Sequence, residues 1–162
     1  MTVKEILKTN IDLAHDVTNR YLGDLNDADL LVRPVPGVNH IAWQLGHLIH
    51  SECEMMSGLG NAMPKLPDGF DASHSREAAT SDDPSKFRKK AEYLSLFQQV
   101  HAATKKAIDA TPEADLGKPG PASMRDYAPT VAHVLHLIGA HEMMHVGQFV
   151  AVRRKLGKPV VI

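Results

Sequence analysis

His141-Glu142-Met143-Met144-His145-Val146-Gly147-Gln148 lies in the last long apolar stretch of the chain, between Thr130 and Leu156. How it is read decides the fold. Two histidines four apart on a helix project from one face, a turn apart, and can share a metal ion. The same letters match the HExxH pattern of zinc proteases, with Glu142 as general base. That reading asks for a further ligand downstream. The seventeen residues after His145 hold no His, Asp, Glu or Cys, and Ala151 stands where the extended protease pattern has its third histidine. Zinc proteases also set this helix against a sheet, and no part of the chain alternates as strand. The pattern reads instead as half of a helical metal site. Glu142, rotated ~100° from His141, is expected in solvent or in a supporting position.

Around this helix the chain reads as all-α. A first helix is expected over about 3–23, with Thr2 and Glu5 as a capping box and Ile6, Ile11, Leu13, Val17 and Leu22 as its stripe. Residues 26–31 suit one short turn before Pro34 and Pro36. A second helix is expected over about 39–58, capped by Asn39, with Ile41, Leu45, Leu48, Ile49 and Met56 on its apolar side. A third is expected to start at Asp83-Pro84, cap then first-turn proline, and to end near Ala110. Phe87, Ala91, Leu94, Phe97, Val100 and Ile108 would point inward. Thr130 caps the fourth, which is apolar on several sides and so is central or at a dimer seam. The result is a four-helix bundle with a long crossover loop over 58–83, of the kind that is usually functional.

Composition bounds the function. The chain has 162 residues, 43% hydrophobic and 23% charged, with 18 basic and 19 acidic side chains. That is expected to give one folded domain over 1–162, with no basic block for nucleic acid. No eighteen-residue apolar run suggests a membrane span, and the N-terminus does not read as a signal peptide. One cysteine, Cys53, precludes an internal disulfide and fits a cytoplasmic location. A lone cysteine is more often a small hydrophobe than a ligand, so Cys53 stays outside the site.

Ten histidines is a high number for this length. A third ligand for the His141/His145 pair is offered by the second helix, where His47 sits among Trp43, Leu45, Leu48 and Ile49, beside Gly46. Glycine lets another group approach closely. His50, one turn on, competes with His47, and spacing alone does not choose between them. His133 lies eight residues before His141, more than ~10 Å along the axis, and reads as a first-turn polar residue. His15, His40, His74 and His101 read as surface or loop residues. A two-metal bundle needs two Glu-x-x-His units; Glu142 to His145 gives one, and the other three helices give none. Trp43 and Tyr127 can line a pocket, although bundle aromatics are usually core.

Three stretches together resemble the DinB-like (DNA-damage-inducible) family of four-helix metal proteins. They are Pro36-Gly37 ahead of helix two; Trp43-x-x-Gly46-His47-Leu48 followed by Ser51-Glu52; and His141-x-x-x-His145-x-Gly147-Gln148. Their order and spacing extend over nearly the whole chain. The resemblance implies an up-down-down-up bundle, often a homodimer, with one divalent metal, nickel or zinc and after them iron, on His47, His141 and His145. Gln148 would then line the site or make a packing hydrogen bond. Relatives in this family include thiol-dependent S-transferases, a maleylpyruvate isomerase and proteins resembling metal-dependent hydrolases. The expected partner is therefore a small molecule, such as a low-molecular-weight thiol, rather than nucleic acid or membrane. A non-catalytic, metal-stabilised or ligand-sensing stress protein is the alternative, because no acid, base or nucleophile stands out beside the three histidines.

Overall fold

The computed structural model describes residues 1–161; Ile162, the end of the apolar tail Val160-Val161-Ile162, lies outside the described residues. Four long helices dominate: α1 (Val3–Leu22), α2 (Ile41–Gly58), α4 (Lys90–Ala110) and α5 (Val131–Lys155), with the single-turn α3 (Phe70–Ser73) between the middle two. Thr2 and Glu5 cap α1 reciprocally, and the Thr130 hydroxyl accepts from the His133 N–H to start α5. Short 3-10 turns fill the connections, including Asp29–Leu31.

Cross-helix pairs give the directions. Asn10 reaches His136, Thr18 reaches Glu142 and Arg153 reaches Tyr21, so α1 and α5 run parallel. Glu52 meets Thr104, and Met56 and Ile108 share a core, so α2 and α4 are parallel too. Lys8–Asp109 and Lys105–Asp12 make α1 and α4 antiparallel. The bundle is therefore up-down-down-up. Because α2 and α4 point the same way, the segment after Gly58 must travel back along the bundle, which is why that connection is long.

The interior has three layers. An apolar cluster at one end joins Leu22, Leu45, Phe97 and Phe149 among others; a second at the other end joins Leu7, Ile11, Met56, Leu135 and Ile138. Between them lies a polar layer of Thr18, Glu52, His101, Thr104 and Glu142, all buried. At the apolar end Arg153, 1% exposed, is held by Asp24 and donates to the carbonyls of Tyr21 and Pro159.

Several local expectations change. Asp83-Pro84 starts only the turn Pro84–Lys86; the backbone then extends, and α4 begins at Lys90. Contacts outside the helix impose the break. Phe87 packs edge-on to His40, the Arg88 N–H donates to the Tyr93 hydroxyl, and the Lys90 N–H donates to Asp27. Ala91, expected inward, is exposed. His40 rather than Asn39 caps α2: its Nδ1 accepts from the Trp43 N–H at 3.1 Å. On α1 the buried stripe is Leu7, Ile11, Ala14, Thr18 and Tyr21 with Leu22, while Ile6 and Leu13 are exposed.

Gly139 sets how closely α1 and α5 approach. A Cβ there would lie 2.4 Å from Asn10 Nδ2 and 2.9 Å from the Asn10 carbonyl oxygen, which is backbone and cannot step aside cheaply. Around Gly147, on the same helix, there is open space. Gly139→Ala should therefore lower stability by about 1–3 kcal/mol through overpacking. Gly147→Ala should raise it by up to ~1 kcal/mol through helix propensity. Urea unfolding of the two variants beside wild type checks the pair.

Candidate metal centre between the second and last long helices

His47 from α2 and His141 and His145 from α5 converge, with one nitrogen of each within 4.8 Å of the others. Ring centroids are 4.8–5.2 Å apart. The three candidates are thus one cluster, and the structure separates His47 from its competitor. His50 turns away, its Nδ1 2.9 Å from Asp71 and its Nε2 3.4 Å from Glu54. His133 is exposed at the start of α5, as its position suggests.

Each ring is held. Gln44, one turn before His47 and fully buried, donates from Nε2 to the Asn39 carbonyl and so presents its Oε1 to His145 Nδ1 at 2.9 Å. That makes Nδ1 the protonated nitrogen and leaves the Nε2 lone pair free for a cation. Trp43 stacks on His47 at 4.8 Å and 6°, and its indole N–H donates to the Ser75 carbonyl. Trp43 is therefore core and site wall at once.

Gly46 has a specific reason. A Cβ there would lie 2.0 Å from the His74 ring. The group that needs the close approach is a side chain, from the long connection. His74 is buried rather than exposed in its loop: Nδ1 donates to the Phe70 carbonyl at 2.7 Å, and Nε2 accepts from the Tyr93 hydroxyl at 2.8 Å. Through His74, Ser75 and Arg76 this connection forms one wall of a cavity of about 460 Å³ that His47 and His141 also line. Met55, Leu137 and the exposed Tyr127 complete much of the rest.

The electrostatics favour neutral imidazoles. Burial, then the mutual repulsion of the charged forms, pushes His47 down to about 4 and His145 down to about 3; burial also lowers His141. Unprotonated nitrogens are what a metal requires. Cys53, half-buried, has its thiol pushed up to about 12 by burial and then by Glu52 and Asp71, so it is no thiolate. Gln148 is exposed and does not line this cavity. Met144 is also exposed.

Glu142 is not in solvent. It points to the opposite side of α5, into the polar layer, where its carboxylate accepts from the Thr18 hydroxyl at 2.5 Å and lies 3.1 Å from His101 Nε2. His101 Nδ1 lies 2.9 Å from Glu52, which accepts from Thr104 at 2.6 Å. Of the four histidines read as surface or loop, His40, His74 and His101 are buried and His15 is half-buried against the layer. Burial acts against the charged form of His101, but Glu52 and Glu142 outweigh it and push the ring up to about 9. Burial would raise Glu142; the neighbouring His101, His15 and Thr18 side chains outweigh that and hold it below the ordinary range. Sequence spacing within one helix carries no trace of this layer, since its members come from four helices.

A family model described as the DinB superfamily matches residues 10–149, across all of the elements that build this site. The chain belongs to the DinB superfamily. Among solved structures it is similar to a conserved protein from Enterococcus faecalis, at 19% identity and a TM-score of 0.70, over 98% of this chain and 99% of that one. At that identity the likeness concerns the fold. No curated protein matches this chain in sequence. For a DinB superfamily member, three convergent neutral histidines beside an open cavity form a site able to hold a metal ion. No described helix is long and apolar enough to cross a membrane.

These shifts give the metal-free protein a stability maximum near neutrality. Lowered His47 and His145 stabilise the fold fully above about 6.5, their ordinary value, and that contribution is lost as pH falls toward about 4 and 3. Raised His101 contributes fully below about 6.5, and that contribution is lost as pH rises through about 9. Melting temperatures of chelator-treated protein from pH 4 to 10 should fall on both sides. His101→Gln should flatten the alkaline side alone.

Proposed function

We propose that His47, His141 and His145 bind one divalent metal, nickel or zinc, and that the DinB superfamily bundle uses it in a transferase- or hydrolase-type reaction on a small molecule. The observation that carries this reading is the cluster itself: three imidazole nitrogens within 4.8 Å of one another, kept unprotonated by burial, with His47 and His141 at the wall of a cavity open to solvent. Three histidines leave coordination positions free, as catalytic metal sites do.

A metal bound there supplies Lewis acidity that lowers the pKa of an incoming thiol or water. The protein's own part is positioning. Gln44 fixes the tautomer and direction of His145, and Trp43 fixes the plane of His47. Among the described residues Arg76 is the one arginine or lysine lining the cavity, so an anionic group of the substrate has a partner beside the histidines. Glutathione, bacillithiol and mycothiol are the thiols to try. The raised thiol of Cys53 supports a reaction whose nucleophile arrives with the substrate rather than from the chain.

Metal content tests the site. Wild type should carry about one nickel or zinc at the three histidines, and His145→Ala should lose it; unchanged content in that variant would overturn the assignment. Gln44→Leu should weaken metal binding ~10–100-fold, as loss of an orienting partner does. A thiol screen with the metal-loaded protein tests the chemistry, with Arg76→Ala expected to raise KM about tenfold while kcat changes little. A large loss of stability on chelation with no turnover of any thiol would favour a non-catalytic, metal-stabilised role.

A further inference from the structure

We propose that His15, His101 and Glu142 form a second divalent-metal site, inside the polar layer and on the far side of α5 from the three-histidine cluster. The three residues come from α1, α4 and α5, and each offers one ligand atom within 4.8 Å of the others. His101 Nε2 lies 3.1 Å from Glu142 Oε2, and His15 Nδ1 lies 3.8 Å from Glu142 Oε1. Ligands at ~2.0–2.1 Å from a tetrahedral ion stand about 3.3 Å apart. The His101–Glu142 separation is close to that value, and His15, on the other carboxylate oxygen, has to move closer to share the ion.

Three further observations point to a cation. First, His15 Nδ1 is buried and has no hydrogen-bond partner. Buried polar nitrogens without partners are rare and ask for an explanation. His15 Nδ1 is aimed at a carboxylate too distant to bond, which suits an atom between the two. Secondly, the ligands are braced from behind. Glu52 stands 2.9 Å behind His101 and is itself held by Thr104, while Thr18 donates to Glu142. Carboxylate behind histidine is the support that metal-binding imidazoles usually have. Thirdly, Glu52 and Glu142 bring two carboxylates into the interior with His101 between them, and a divalent cation that displaces the proton on His101 Nε2 keeps that buried charge balanced.

Access is present. A groove of about 730 Å³ runs between α1 and α4, with His15, Asn19, Gln98 and His101 along it. Two imidazoles and one carboxylate suit a divalent first-row metal such as iron or zinc, and set this site apart from an all-imidazole one. It does not depend on the three-histidine site being loaded.

The test is zinc stoichiometry after equilibration with excess Zn²⁺ and removal of the free ion, with circular dichroism to confirm folding. Wild type should retain two zinc ions per chain, His145→Ala one, His15→Ala one, and the double variant none. His15 is half-buried at the edge of the layer and has no hydrogen bond from its Nδ1, so its removal breaks no hydrogen bond between the helices, and circular dichroism reads the loss of its ring contacts with Phe97 and His101. Glu142→Gln, which keeps the shape, should weaken the same ion at least tenfold. Wild-type stoichiometry in His15→Ala, or no zinc in His145→Ala, would overturn the proposal. One ion in wild type that survives His145→Ala but not His15→Ala would uphold it and defeat the three-histidine reading instead.

Discussion

One helix has to bury polar groups on two opposite sides, and the rest of the bundle is arranged to meet that demand. Within five residues α5 carries His141 and His145 toward α2 and Glu142 toward α1 and α4. A buried carboxylate or imidazole without a partner would cost several kcal/mol. α1 comes close enough to supply Thr18 because Gly139 has no side chain. α4 supplies His101. α2 serves both sides, with Gln44 and His47 on one face and Glu52 on another. Two apolar clusters then close over the ends of this polar middle.

The bundle was legible because its helices carry strong local signals. Thr2 with Glu5 and Thr130 before α5 are caps whose partners lie within a turn. The His141/His145 pair needs only the helical period to be placed on one face. His47 could be proposed but not chosen over His50, since both sit on the same stretch of α2. The choice depends on Asp71 and Glu54, which draw His50 away, and Asp71 lies in a connection with no periodic signal.

What could not be read was long-range and polar. Glu142 was expected in solvent or in support because its rotation from His141 says only where it does not point. Its partners, Thr18 and His101, lie 124 and 41 residues away. His74 looked like a loop residue and is one, yet it is buried, and the signal was present in another place: Gly46 in the middle of a helix marks the space its ring fills. Asp83-Pro84 was a true start signal that tertiary contacts cut short, with Phe87 and Lys90 drawn to partners outside the helix.

Membership of the DinB superfamily supplies the fold and the setting of the histidines, and fold by itself does not select a reaction. The reading therefore stands on whether a metal sits where the nitrogens converge. Crystals of the protein equilibrated with nickel and zinc, with anomalous data collected on both sides of the two edges, test this most directly. The account predicts one peak at ~2.0–2.1 Å from nitrogens of His47, His141 and His145, including Nε2 of His145. Density with no anomalous peak among these rings, in protein given nickel and zinc, would contradict it.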